Sequence, residues 1–161
     1  MIRDIILRKI ESKEISKLKR LFPSDEKTWF KYKSKRLLQL ENKETDIFVI
    51  EYKDMFIGEL SVNYTSYTLI SETIPNIRVY LEAFRIDEKY RGRGLGKRLI
   101  SYTISELEKS GYTQFTIGVE EDNKIAKHIY FKFGFTEAID YGQGDEFDPC
   151  KYTLYLLDVK K

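Results

Sequence analysis

The hydrophobic positions change period several times along the chain, and each change predicts an element. Ile2, Ile5, Ile6, Leu7 and Ile10 mark a first strand over 2–10. Ile15, Leu18 and Leu21 then fall at helical spacing among lysines and glutamates, a helix over 11–22 that Pro23 stops. Ser24 offers an N-cap for a second helix through Leu40, with Trp29, Phe30, Leu37 and Leu38 as its apolar positions. Strands follow near 46–52 and 55–64, joined by a tight turn at Tyr52-Lys53-Asp54. The Ser/Thr-rich stretch 65–76, with Pro75, reads as a loop.

The second half is more regular. Residues 77–86 form a β-prone run, Ile-Arg-Val-Tyr-Leu-Glu-Ala-Phe-Arg-Ile. Leu95, Leu99, Tyr102 and Leu107, beside Ile100 and Ile104, mark a helix that stops at Gly111. A short strand over 113–119 precedes a helix over 122–133, with Ile125, Ile129 and Phe133 at i, i+4 and i+8. Closing strands lie near 134–140 and 151–158. The order βααβββαβαββ predicts an α/β (α+β) fold. Its central sheet is mixed and mostly antiparallel, of about seven strands, with helices on both faces, rather than doubly wound and parallel.

Composition narrows the function classes. The 161 residues point to a single domain over 1–161. Lys and Arg total 28, Asp and Glu 26, and the net charge of +2 argues against a nucleic-acid partner. The one cysteine, Cys150, excludes an intrachain disulfide, and with a single His128 it builds no zinc site, so no metal is expected. Charges interrupt the N-terminus and no segment reaches the ~20 apolar residues of a membrane span. The expectation is a cytoplasmic protein without a membrane partner. A homodimer is left open by the exposed aromatics.

Of nine glycines, three fall within five positions: Tyr90-Arg-Gly-Arg-Gly-Leu-Gly-Lys97, between a strand and a helix. Glycines there let the backbone turn sharply and approach a ligand, and a helix start offers free N–H groups to an anion. Arg91, Arg93, Lys97 and Arg98 add positive charge. The dinucleotide fingerprint fails, because Gly92 and Gly94 are followed by lysine at 97. The P-loop fails, because positions 91 and 98 are arginines. A plain turn that binds nothing is the alternative.

What the cluster matches is Arg91-x-x-Gly94-x-Gly96, within Ile86-Asp-Glu-Lys-Tyr-Arg-Gly-Arg-Gly-Leu-Gly-Lys-Arg-Leu. This resembles the strand–loop–helix unit that holds the acyl-CoA pyrophosphate in the GNAT superfamily of N-acetyltransferases. Glu88 departs from it, where members often carry proline. Asn123-x-x-Ala126-x-x-x-Tyr130-Phe-Lys-Phe-Gly-Phe135 resembles the family's second signature. Residues 1–76 carry no diagnostic motif beyond order and length.

The resemblance implies acetyl-CoA as acetyl donor and transfer by direct attack through a tetrahedral intermediate; it does not fix the acceptor, for which a small-molecule amine acceptor is the expectation. It places Arg91, Gly92, Arg93, Gly94, Leu95, Gly96 and Lys97 at the pyrophosphate. Phe84, Arg85 and Ile86 fall along the pantetheine arm, with the backbone groups of Phe84 and Ile86 pairing to it. Asn123 and Ala126 are placed on the cofactor side of their helix. Amine acetylation needs a base, an oxyanion donor and an acid for the departing thiolate. Glu82, a carboxylate in an apolar strand, is the candidate base, with partial burial expected to favour it. Its alternatives are a solvent-facing side chain or a partner of Arg78 or Arg85. Tyr130, on one helix face with Asn123 and Ala126, is the candidate acid. Its alternative is simple packing, in a chain with 12 tyrosines. A backbone N–H near Phe84 is the oxyanion donor.

The stretch Asp140-Tyr-Gly-Gln-Gly-Asp-Glu-Phe-Asp148 carries four carboxylates that suit a cationic small molecule, or simply form a solvated loop. Two other functions stay open: a non-catalytic acyl-CoA-binding or sensing module, and a protein or peptide N-acetyltransferase.

Overall fold

The computed structural model describes residues 2–144 and 149–161. Seven strands are present: β1 (Ile6–Lys9), β2 (Thr45–Tyr52), β3 (Met55–Asn63), β4 (Arg78–Ile86), β5 (Gln114–Glu120), β6 (Glu137–Gly142) and β7 (Tyr152–Asp158). Three α-helices are α1 (Glu26–Glu41), α2 (Leu95–Lys109) and α3 (Lys124–Phe133). The sheet order is β1-β2-β3-β4-β5-β7-β6. β4 and β5 run parallel, whereas β1–β2, β5–β7 and β6–β7 are antiparallel. The expected mixed, mostly antiparallel seven-stranded sheet with helices is the observed one. The chain divides into two compact units, Met1–Val62 with Ala83–Glu106, and Asn63–Glu82 with Leu107–Lys161.

In the first unit, β1 is shorter than the apolar pattern predicts. Asp4 sits in the left-handed region at φ 64°, which breaks the extended run before Ile6. The segment Ser12–Leu21 is a 3-10 helix rather than an α-helix. Its buried residues Ile15, Leu18 and Leu21 are three apart, the spacing that stacks on one side when a turn holds three residues. The β2–β3 turn is as expected: Lys53 and Asp54 both have positive φ, 49° and 62°, as a tight two-residue hairpin turn requires.

Helix α1 differs from expectation in cap and face. Asp25, not Ser24, is the N-cap, accepting from the Thr28 N–H at 2.7 Å. The buried stripe is Trp29, Tyr32, Arg36 and Gln39, while Phe30 and Leu38 are 70% and 59% exposed. The spacing of three, four and three makes a continuous helical stripe. A buried carboxylate on β3, Glu59, is acted on electrostatically by Arg36, and burying a charge requires an opposite one. The inward position therefore goes to an arginine, at the expense of two apolar residues.

The second unit is built on β5, whose Phe115, Ile117 and Val119 join Phe135, Leu154 and Leu156 in its core. β4 pairs with β5 from Arg78↔Gln114 to Leu81↔Ile117. The Tyr152 ring occupies the space that a Cβ at Gly118 or Gly142 would need. The 65–76 loop contains a short 3-10 turn, Ile70–Glu72, and buries its carboxylate. Glu72 accepts the Tyr67 N–H at 3.1 Å and the Thr68 N–H at 3.4 Å. Helix α3 buries none of its residues fully. Ile125 and Ile129 are 76% and 44% exposed, and Ala126, Tyr130 and Phe133 are the half-buried positions. The expected Ile125–Ile129–Phe133 stripe is thus turned outward at two of its three positions. Tyr130 takes the inner place by meeting the Phe135 ring edge-on at 6.2 Å, and Phe135 is fully buried.

Candidate active site

The glycine segment lies between β4 and α2 as expected. Gly92 and Gly94 both have φ 77°, a conformation that side chains with a Cβ rarely adopt. A Cβ at either would meet nothing within 4 Å, so these backbone groups face open space. Gly96 has a different reason: its missing Cβ lets the Phe84 ring and the Ile86 side chain pack against the start of α2. Tyr90 roots the loop as a buried side chain, edge-on to Tyr52 at 5.8 Å, with the Arg93 guanidinium over its ring. The Arg91 Nε donates to the Ile86 carbonyl at 3.0 Å. Arg91, Arg93, Lys97 and Arg98 are exposed around the free N–H groups of the first helical turn, and Leu95 is buried. The loop is a candidate anion cradle.

Strand β4 changes phase halfway. Val79 and Leu81 are fully buried, and further on the apolar positions are Phe84 and Ile86. Ala83, between them, has φ 54°. A left-handed residue inserts one extra position, and alternation slips by one. The partners on β3 bear this out. Asn63 Nδ2 donates to Glu82 Oε1 at 2.8 Å, and Arg85 pairs with Glu59. Glu59 and Asn63 are four apart on β3, hence on one face. Asn63 and Glu59, both on β3, thus engage Glu82 and Arg85 respectively.

Glu82 is half-buried and is held by Asn63. Arg78 is engaged by Gln114 and the Ser71 carbonyl, and Arg85 by Glu59. The Arg85 side chain is thus committed away from the glycine loop, so only its backbone is placed for the pantetheine arm. Burial pushes the Glu72 carboxyl above its ordinary range, and the charge of Glu82 adds to the push. Tyr130 is desolvated enough to raise its pKa to about 12, which keeps the hydroxyl protonated at neutral pH. Asn123 is the N-cap of α3, accepting the Ala126 N–H at 3.0 Å, which fixes where the Ala126–Tyr130 face begins.

Sequence reasoning missed Asn63, Glu59 and Glu72. The first two had a signal: Glu59-x-Ser61-x-Asn63 puts a polar residue at every second position of an otherwise apolar strand. Glu72, in a loop of polar residues, had none. In the acidic stretch, the Asp140 carboxylate accepts from the Ser71 hydroxyl. Asp145, Glu146 and Asp148 lie outside the described residues. Among the described residues no three His, Cys, Asp or Glu side chains gather as a metal site, and no helix is long and apolar enough to cross a membrane.

The family model described as the acetyltransferase (GNAT) family matches residues 13–135. The spermine/spermidine N(1)-acetyltransferase of Bacillus subtilis is 37% identical over 82 residues, 48% of this chain and 53% of that protein. The [ribosomal protein bS18]-alanine N-acetyltransferase of Salmonella typhimurium is 30% identical over 117 residues, 73% of this chain and 67% of that protein. The first curated relatives are thus matched over about half their length. The structure of yncA from Salmonella typhimurium, with its cofactor acetyl-CoA, superposes with a TM-score of 0.66 at 16% identity, covering 98% of this chain and 95% of that one.

Proposed function

The chain belongs to the acetyltransferase (GNAT) family, and from that premise we propose that it is a single-domain, acetyl-CoA-dependent N-acetyltransferase acting on a primary amine of a small cationic molecule. Acetyl-CoA supplies an activated acetyl thioester. The N–H groups at Gly92–Gly96 and the Arg91, Arg93 and Lys97 charges bind its pyrophosphate. Backbone groups of Phe84, Arg85 and Ile86 hold the pantetheine arm, beside Asn123 and Ala126. Glu82, oriented by Asn63, takes the proton from the acceptor ammonium, directly or through a water. The left-handed Ala83 re-aims the neighbouring peptide N–H groups, which supports an oxyanion donor near Phe84. Tyr130, protonated across the physiological range, gives its proton to the leaving thiolate.

One observation carries the cofactor reading: the two positive-φ glycines open onto free space at the N-terminus of α2. It is tested by thermal unfolding with and without acetyl-CoA. At about 100-fold Kd the ligand adds about 2.7 kcal/mol, which for a chain of this size raises Tm by roughly 5–10 °C. No shift at millimolar acetyl-CoA rejects the proposal. A protein α-amine is the second acceptor reading, favoured by the relative that matches over the larger share of the chain.

A further inference from the structure

Resting on the acetyl-transfer reading, we propose that the buried Glu59–Arg85 pair is a register lock for the end of β4, and that both are positioning residues for the cofactor. By holding β4 in one register against β3, the pair decides which backbone groups of Phe84–Ile86 are offered to the pantetheine arm.

Three neighbouring contacts define that register. The Asp87 N–H donates to the Ile57 carbonyl at 2.8 Å. One residue back along β4, the Ile86 side chain lies over Gly58, where a Cβ would come within 2.9 Å of its Cδ1. One residue further back, the Arg85 Nη1 donates to Glu59 Oε1. The numbers rise along β3 as they fall along β4, as antiparallel neighbours require. Ile86 and Arg85 leave on opposite faces, as successive strand residues do.

The register also fixes the backbone. In a strand the N–H and C=O of one residue point to one edge, and those of the next residue to the other. With the Asp87 N–H turned to β3, the Arg85 backbone is turned there too, and Phe84 and Ile86 point to the opposite edge. The Ile86 carbonyl agrees, accepting from the Arg91 Nε of the glycine loop at 3.0 Å. Of the three residues along the arm, Phe84 and Ile86 therefore offer backbone groups, and Arg85 acts through its side chain.

A lock is needed because the segment follows a slip. Ala83, at φ 54°, inserts its extra position immediately before Phe84. Moving that position by one residue reverses every later side chain and every later backbone group. Apolar packing discriminates weakly between the two arrangements. A buried charge discriminates strongly, because it is costly wherever its partner is missing. Glu59 is 2% exposed. Burial works against its charge, and Arg85 supplies the largest attraction opposing that burial. In the slipped register Arg85 leaves on the face away from Glu59. In the observed one its guanidinium is seated over the Phe22 ring at 5.2 Å, and Phe22 is stacked on Tyr32 at 4.3 Å.

The test compares the wild type with the double change Glu59→Gln and Arg85→Gln, which removes both charges without leaving either unpaired. Coenzyme A affinity is read by calorimetry and amide exchange at single residues by NMR, with no acceptor present. In the wild type, coenzyme A slows exchange at Phe84 and Ile86 and leaves Arg85 unchanged. The double variant binds roughly tenfold more weakly, as losing about one backbone hydrogen bond implies, and the alternation across Phe84–Ile86 is lost. Either readout unchanged in the double variant overturns the lock. Arg85→Lys keeps a cation opposite Glu59 and binds within a few-fold of the wild type; a loss as large as that of the double variant overturns the lock too. Should the double variant fail to fold, Arg85→Lys and the wild-type exchange pattern decide, and slowing at Arg85 rather than at Phe84 and Ile86 overturns the register. Failure of the wild type to bind coenzyme A at millimolar concentration rejects the acetyl-transfer reading itself.

Discussion

The Asn63 side-chain amide donates a 2.8 Å hydrogen bond to the Glu82 carboxylate, holding the candidate base from the neighbouring strand. This bond orients one carboxylate oxygen of Glu82. Glu82→Gln keeps the shape and removes the basicity, so kcat falls by about 10²–10⁴-fold. Acetyl-CoA affinity, read by calorimetry, stays within a few-fold. Asn63→Ala lowers kcat/KM by a smaller factor, because the base remains and only its orientation is lost. Full activity in Glu82→Gln removes Glu82 from the chemistry.

Tyr130 provides a pH signature. Its pKa is raised to about 12 by desolvation, so the folded state prefers the neutral phenol. The stabilising effect is complete below the ordinary tyrosine pKa near 10 and is lost as pH rises through about 12. Between those values the wild type loses stability at up to about 1.4 kcal/mol per pH unit from this group. Tyr130→Phe removes that component from the alkaline limb of a Tm–pH curve and lowers kcat at neutral pH. Unchanged turnover in Tyr130→Phe ends its assignment as the acid.

Ala83 tests the strand slip. A left-handed conformation costs a non-glycine residue roughly 1–2 kcal/mol, and glycine there trades this against about 0.5–1 kcal/mol of chain entropy. Ala83→Gly therefore changes stability by no more than about 1.5 kcal/mol, in the stabilising direction. Ala83→Val, branched at Cβ, loses about 2 kcal/mol or more. Urea unfolding of the two variants measures both, and equal stability contradicts a positive φ at this position.

Gly94→Ala separates loop from fold. Nothing crowds a Cβ there, so the cost to stability is the backbone term alone, about 1 kcal/mol. Acetyl-CoA binding falls by tenfold or more, since the re-aimed N–H groups leave the pyrophosphate. A variant that binds acetyl-CoA as the wild type does places the cofactor elsewhere.

Glu14 sets an acid limit. Arg8 holds it by two hydrogen bonds of 2.8 and 2.6 Å and lowers its pKa to about 2. Its contribution is present above the ordinary carboxylate pKa near 4.5 and is lost as pH falls towards 2. Both side chains are partly exposed, so Arg8→Met costs about 1–2 kcal/mol at pH 7 rather than the full linkage value. The difference from wild type shrinks in unfolding experiments below pH 3.

The order of strands and helices, the tight turn at Tyr52-Lys53-Asp54 and the glycine loop between β4 and α2 were legible in the residues themselves. Each is a local matter: side-chain period, turn chemistry and glycine placement act within a few neighbours. The faces of α1 and α3 were not legible. Phe30, Leu38, Ile125 and Ile129 are apolar, yet they lie outward because partners distant in sequence claim the inner positions. Arg36 is drawn in by the buried Glu59, and Tyr130 by the Phe135 ring. The same holds for the site. Glu82 and Tyr130 stood out as residue types in their contexts. The Asn63–Glu82 bond, the Glu59–Arg85 pair and the slip at Ala83 exist only once β3 lies beside β4. Sequence by itself determined the elements and the place of the glycine loop, because these depend on local conformation. Tertiary structure decided which side chains face one another, because burying a charge or a ring depends on what the rest of the chain brings to it.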